Sequence, residues 1–139
     1  MKIKQFEIIL QSKERGFHLV TDEVFGQISD LGKVRTGLLH LFIQHSSASI
    51  SINEYADPSV RKDLEKFYSE LCNYKQYYTH TYEGPDDMPS HVKASMLGTD
   101  VTIPITSGQP NFGTWQGIIL GEHRIRAGSR RIIATLIYD

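Results

Sequence analysis

The sequence predicts a single α+β domain over residues 1–139, a largely antiparallel β-sheet or sheets with two to three helices. Strand-like segments stand at both ends of the chain, capped helical segments lie between them, and no βαβ alternation with a glycine-rich turn occurs. At 139 residues the chain is far shorter than the roughly 250 of a (β/α)8 barrel, yet its 40% hydrophobic content can fill one core. It has no internal repeat, low-complexity segment or linker.

Residues 3–10 and 17–20 are β-prone and are separated by Ser12-Lys13-Glu14-Arg15-Gly16, so they read as an opening hairpin. Thr21 can cap a helix that carries Asp22 and Glu23 in its first turn, buries Val24, Phe25, Ile28 and Leu31, and stops at Gly32. Leu38–Ile43 is too short an apolar run for a typical helix, and Ala48–Asn53 alternates strictly, so both read as strands. In the second, Ala48, Ile50 and Ile52 face the core, and Ser47, Ser49, Ser51 and Asn53 form a polar row. That row is either a solvent face or the floor of a polar pocket or subunit interface.

Asp57-Pro58 marks a helix start, with Val60, Leu64, Phe67, Tyr68 and Leu71 as its buried stripe. After the aromatic segment Tyr74–Tyr82, a second helix begins at Asp86–Ser90 and ends at Gly98. The last third supplies strands at 101–105, 113–120 and 131–138, and Pro104 places the first of them at an edge or a bulge.

Charge and cysteine content exclude several function classes. With 15 Lys+Arg against 16 Asp+Glu, no basic field gathers nucleic acid. The lone Cys72 closes no intrachain disulfide, there is no C-x-x-C, and no apolar run reaches the length of a membrane span. Met1–Glu7 lacks a signal-peptide apolar block, so the expected location is cytoplasmic, without membrane or nucleic-acid partners. P-loop, nucleophile-elbow and Rossmann fingerprints are absent.

Chemistry can come from His45 at a strand end, His80 in a loop and His91 near a helix start, since neutral imidazole is a common ligand for zinc and related metals. Their spacing matches no short zinc motif. Asn53-Glu54 follows His45, and Glu83, Asp86 and Asp87 lie between His80 and His91, available as metal ligands, ligand-orienting partners or general bases. In the first turn of a helix, His91 would meet the positive end of the macrodipole, which favours its neutral form. Trp115 lies between Gly113 and Gly117, and four Arg fall within residues 124–131, where they can hold a phosphate or carboxylate or form a charged surface hairpin.

The ordered set His45-Ser46-Ser47-Ala48, Asn53-Glu54, Asp57-Pro58, Asp63, His80, Glu83-Gly84, Asp87, His91, Gly98, Pro104, Gly108, Gly113-Thr114-Trp115-Gln116 and Glu122 resembles the YjbQ family, sometimes described as secondary thiamine-phosphate synthase. The likeness covers essentially the whole chain. Gly16–Glu23, Tyr82–Gly84, Asp86–His91 and Gly121–Ile125 make it closest to the enterobacterial branch. The chain departs from the common pattern in having Ser46 where many members have Thr, and Glu122-His123-Arg124-Ile125 where Glu-x-Asp-Gly is usual.

The resemblance implies a homotrimer with a pocket near subunit contacts and a weak thiamine-phosphate synthase activity, a transferase reaction that releases pyrophosphate and so needs a divalent cation, Zn or Mg, or Arg groups. It implies His45, His80 and His91 as metal ligands, and these together with Asn53, Glu54 and Asp87 as catalytic groups. Ser47, Trp115 and Arg130 would bind substrate or phosphate. The expected function is an enzyme acting on a phosphorylated small molecule; the alternative is a trimeric binding module for a small anionic metabolite, without turnover.

Overall fold

A computed structural model describes all residues, Met1–Asp139. In chain order the elements are β1 (Lys2–Leu10), β2 (Gly16–Leu19), α1 (Thr21–Phe25), a 3-10 turn (Leu31–Lys33), β3 (Thr36–Ile43), β4 (Ala48–Glu54), α2 (Pro58–Cys72), α3 (Asp87–Leu97), β5 (Asp100–Thr106), β6 (Gln109–Pro110), β7 (Gln116–Glu122) and β8 (Arg130–Tyr138). The strands form two antiparallel sheets, one of five strands in the order β1-β8-β3-β5-β6 and one of three in the order β2-β7-β4. The domain is therefore α+β and antiparallel, as the sequence predicts.

Period-two patterning builds the core. Ile8 and Leu10, Leu39, Leu41 and Ile43, Ile103 and Ile105, and Ile132, Ala134 and Leu136 project from the large sheet and meet Ala48, Ile50, Ile118 and Leu120 of the small one. The small sheet's other face is covered by α2 and α3, which pack on β2 and β4. Ser49 of the polar row is thereby buried beneath the helices rather than exposed. Three layers result: large sheet, small sheet, helix pair.

Several expectations are corrected. β1 and β2 form no hairpin, because β1 pairs with β8 and β2 with β7, and residues 11–15 cross from one sheet to the other. The first helix lasts only five residues; Thr21 does not cap it, and its Oγ1 instead accepts the Ile118 amide, 2.9 Å away in β7. Asp57 caps α2 as expected, its side chain accepting the Ser59 amide at 2.9 Å with Pro58 in the first turn. The apolar stripe of α2 is not buried as expected: Phe67 and Leu71 are exposed, and only Cys72 of this helix is fully buried. The last β7 expectation shifts too, since the strand starts at Gln116 and leaves Gly113–Trp115 in the preceding turn. No helix is long and apolar enough to cross a membrane.

Candidate functional site

The 44–47 loop carries the chain from the large sheet to the small one and is fixed from two sides. Gln44 donates its amide to Arg131 O, and the Arg131 amide donates to His45 Nε2 at 2.8 Å. This puts the proton of neutral His45 on Nδ1. Partial burial and the nearby Arg130 hold the His45 pKa below its ordinary value, which favours that neutral form. From the other side, His91 Nδ1 lies 2.8 Å from Ser46 O; since the carbonyl can only accept, Nδ1 donates, and Nε2 is the nitrogen left for other partners.

That nitrogen faces Asp87. Asp87 is the first residue of α3 and His91 the fifth, one helical turn on, so they share a face. His91 Nε2 is 3.2 Å from Asp87 Oδ1, and His80 Nε2 reaches 2.8 Å from Asp87 Oδ2 out of the 73–86 connection. The Asp87 side chain is 3% exposed, yet its Oδ2 receives no aligned hydrogen bond. One ligand atom from each of His80, Asp87 and His91 falls within 4.8 Å of the others, the arrangement of groups that share a cation.

Arg124 braces this group. Its Nη1 donates to Asp87 Oδ1 (2.9 Å), its Nε to Asp86 Oδ2 (2.9 Å) and its Nη2 to Glu83 O (3.1 Å). Burial pushes the Asp86 carboxyl up, but the Ile125 amide and the Arg124 guanidinium outweigh it, and its pKa falls below the usual carboxylate range. Asp86 and Asp87 therefore do more than begin a helix. Asp86 makes no side-chain cap and instead ties the α3 start to the 123–129 loop.

Arg130, which the resemblance implies as a phosphate-binding residue, is paired inside the protein. It is 5% exposed, and it donates to both oxygens of fully buried Glu122, to Ser47 Oγ at 3.0 Å and to Ser47 O at 3.1 Å. Four N–H donors are thereby occupied, and Arg130 with Ser47 positions the loop that carries His45. A cavity of about 550 Å³ opens beside this loop, lined by Phe42, Gln44, His45, Ser46, His91 and Thr99 among others.

The structure thus brings together His80, Asp87 and His91, while His45 lines the same cavity as His91 and stands outside their group. It keeps Asn53, Glu54 and Trp115 apart from them. Ala48 and Glu54 mark opposite ends of β4, six residues or about 20 Å apart. At the far end Asn53 Oδ1 accepts the Glu54 amide, Glu54 accepts the Asp57 amide, and exposed Trp115 packs against Tyr55 with ring centroids 6.4 Å apart. His91 also lies beyond the first turn of α3, and the Ser46 carbonyl rather than the macrodipole fixes its tautomer.

Sequence reasoning missed Arg124 as a brace, the Glu122–Arg130 pair and two buried groups under the helices, His123 and Lys93. His123 Nε2 bonds Ser49 Oγ at 2.9 Å while Nδ1 has no partner, and burial, reinforced by Lys93 and Arg130, lowers its pKa to about 3. No local pattern announces these, since their partners are 37 or 74 residues away for Arg124–Asp87 and His123–Ser49.

Residues 5–139 match the family described as UPF0047 protein YjbQ-like. The UPF0047 protein YjbQ of Escherichia coli O157:H7 is 56% identical over 132 residues, covering 95% of this chain and 96% of that protein. The protein of the same name from Salmonella typhimurium is 52% identical over the same length and shares. An uncharacterized conserved protein of the YjbQ/UPF0047 family from Clostridium acetobutylicum superposes with a TM-score of 0.77 at 31% identity, covering 93% of this chain and 96% of that one. A YbjQ-like protein of unknown function from Sulfolobus solfataricus P2 shares the fold, with a TM-score of 0.85 at 23% identity over 99% of both chains. The chain belongs to the YjbQ/UPF0047 family, on its enterobacterial branch.

Proposed function

We propose that His80, Asp87 and His91 hold a divalent cation and that the protein is an enzyme acting on a phosphorylated small molecule in the adjoining cavity. The observation that carries this reading is the buried Asp87 Oδ2, which lacks an aligned donor while two imidazole nitrogens crowd the same carboxylate. Two nitrogens and one carboxylate suit zinc or another first-row metal better than Mg, which prefers oxygen donors. The Ser46 O contact on His91 and the Arg124 contact on Asp87 are the orienting bonds such a ligand set needs. When bound, the cation supplies positive charge to a departing phosphate or pyrophosphate.

His45 keeps a different role in this reading. With Nε2 occupied by the Arg131 amide, its Nδ1–H is a donor for a substrate oxygen rather than a metal ligand. Weak thiamine-phosphate synthase activity, which the family resemblance implies, fits a site that binds diphosphate and monophosphate together. Assembly as a homotrimer would give the far-end residues Asn53, Glu54 and Trp115 a partner's site to join. A cytoplasmic location accords with the buried, unpaired Cys72. Titration with Co²⁺ tests the metal reading: d–d absorption that saturates near one ion per chain and disappears in Asp87→Asn is expected. Equal binding by Asp87→Asn would refute it.

A further inference from the structure

A second cleft, of about 430 Å³, opens between β2 and the N-terminal half of α2. The chain as a whole has a net charge of −1, but here Arg15, Arg61, Lys62 and Lys66 line one cleft against a single carboxylate, Glu65. Lys62 and Lys66 have no carboxylate within ion-pair distance, and Arg61 Nη1 donates only to Tyr55 O, at 3.2 Å.

The cleft is built rather than incidental. Gly16, at φ +143°, turns the chain between Arg15 and Phe17. Arg15 Nε then reaches 3.6 Å from Glu65 Oε1, and Phe17 packs on Tyr68 of α2 with centroids 6.0 Å apart. Glu65 Oε1 also accepts Ser69 Oγ at 3.0 Å and lies 3.8 Å from Nζ of Lys93, which is 1% exposed. Its charge is thus offset by two cations, while its Oε2 is buried with no donor. The cleft therefore offers the positive charge of Lys62 and Lys66 beside a carboxylate already offset by Arg15 and Lys93.

We propose that this cleft binds a small phosphate monoester, the phosphate met by Arg15, Arg61, Lys62 and Lys66. None of these residues belongs to the His80–Asp87–His91 group, so the site is independent of the metal reading. It also gives a role to the Arg15–His18 stretch, which the first site does not use.

The test is a ¹H–¹⁵N NMR titration of the full chain with glycerol 3-phosphate, against NaCl at matched ionic strength. Saturable shifts at the amides of Arg15–His18 and Arg61–Lys66 are expected. The exposed pair Lys62→Ala/Lys66→Ala should keep the native spectrum and lose affinity by about tenfold or more, and His91→Ala should leave the titration unchanged. Absence of saturable shifts at these amides, or unaltered affinity in the double variant, would overturn the site.

Discussion

Gly121 pairs with Ser49 on one side and Phe17 on the other, beneath the helix layer. A Cβ there would lie 2.2 Å from Ser49 Oγ and 2.7 Å from the His123 ring, all in a buried layer. Gly121→Ala should therefore cost about 1–3 kcal/mol, read as a lower urea midpoint with the same slope; an unchanged midpoint would contradict that close packing. His123 makes the same layer pH-sensitive. Unfolded, it takes up a proton as pH falls below 6.5, whereas in the fold it stays neutral down to about pH 3. Between those values the unfolded state binds the extra proton, so stability is lost as pH is lowered, by up to about 1.4 kcal/mol per unit from this residue. Denaturant unfolding from pH 7.5 to 4.5 should show a shallower dependence in His123→Gln, and identical profiles would count against the buried neutral ring. The burial of His123 was not legible, because the chain around it, Glu122-His123-Arg124, has the composition of a surface loop.

Capping chemistry is local, and so the start of α2 could be read from Asp57-Pro58 alone. Asp57→Ala removes the acceptor for the Ser59 amide and should destabilise by about 1 kcal/mol, a melting-temperature drop of a few degrees. Strand existence was equally legible from alternation in Ala48–Asn53 and the apolar run Leu38–Ile43. Pairing was not. The short polar segment after β1 looks like a hairpin turn, but the partner of β1 lies more than a hundred residues away in β8, and nothing near residues 11–16 encodes that choice. The exposure of Phe67 and Leu71 is a similar case, since helical spacing shows which residues share a face and not what covers it.

At the scale of the molecule, Glu122 ends a strand of the small sheet and Arg130 begins one of the large sheet, so their buried pair joins the two sheets below the His45 loop. Removing one partner strands the other charge in the interior, and Arg130→Leu should cost about 3–5 kcal/mol in denaturant unfolding, with a loss under 1 kcal/mol contradicting the pairing. The residues of the candidate site were visible in the sequence as a set, while their grouping was not. Three His looked like one ligand set, but His45 is held by the Arg131 amide, and Asp87, braced from Arg124 across 37 residues, takes the third position. Asn53, Glu54 and Trp115 stand at the other end of β4 because strand length, not sequence proximity to His45, sets their distance. The most direct test of the metal centre is elemental mass spectrometry of the purified, tag-free protein beside its His45→Ala, Asp87→Asn and His91→Ala variants. About one zinc-class ion per chain, kept in His45→Ala and lost in the other two, is the predicted result. Metal absent from every sample, or lost equally in His45→Ala, would contradict a centre built from His80, Asp87 and His91.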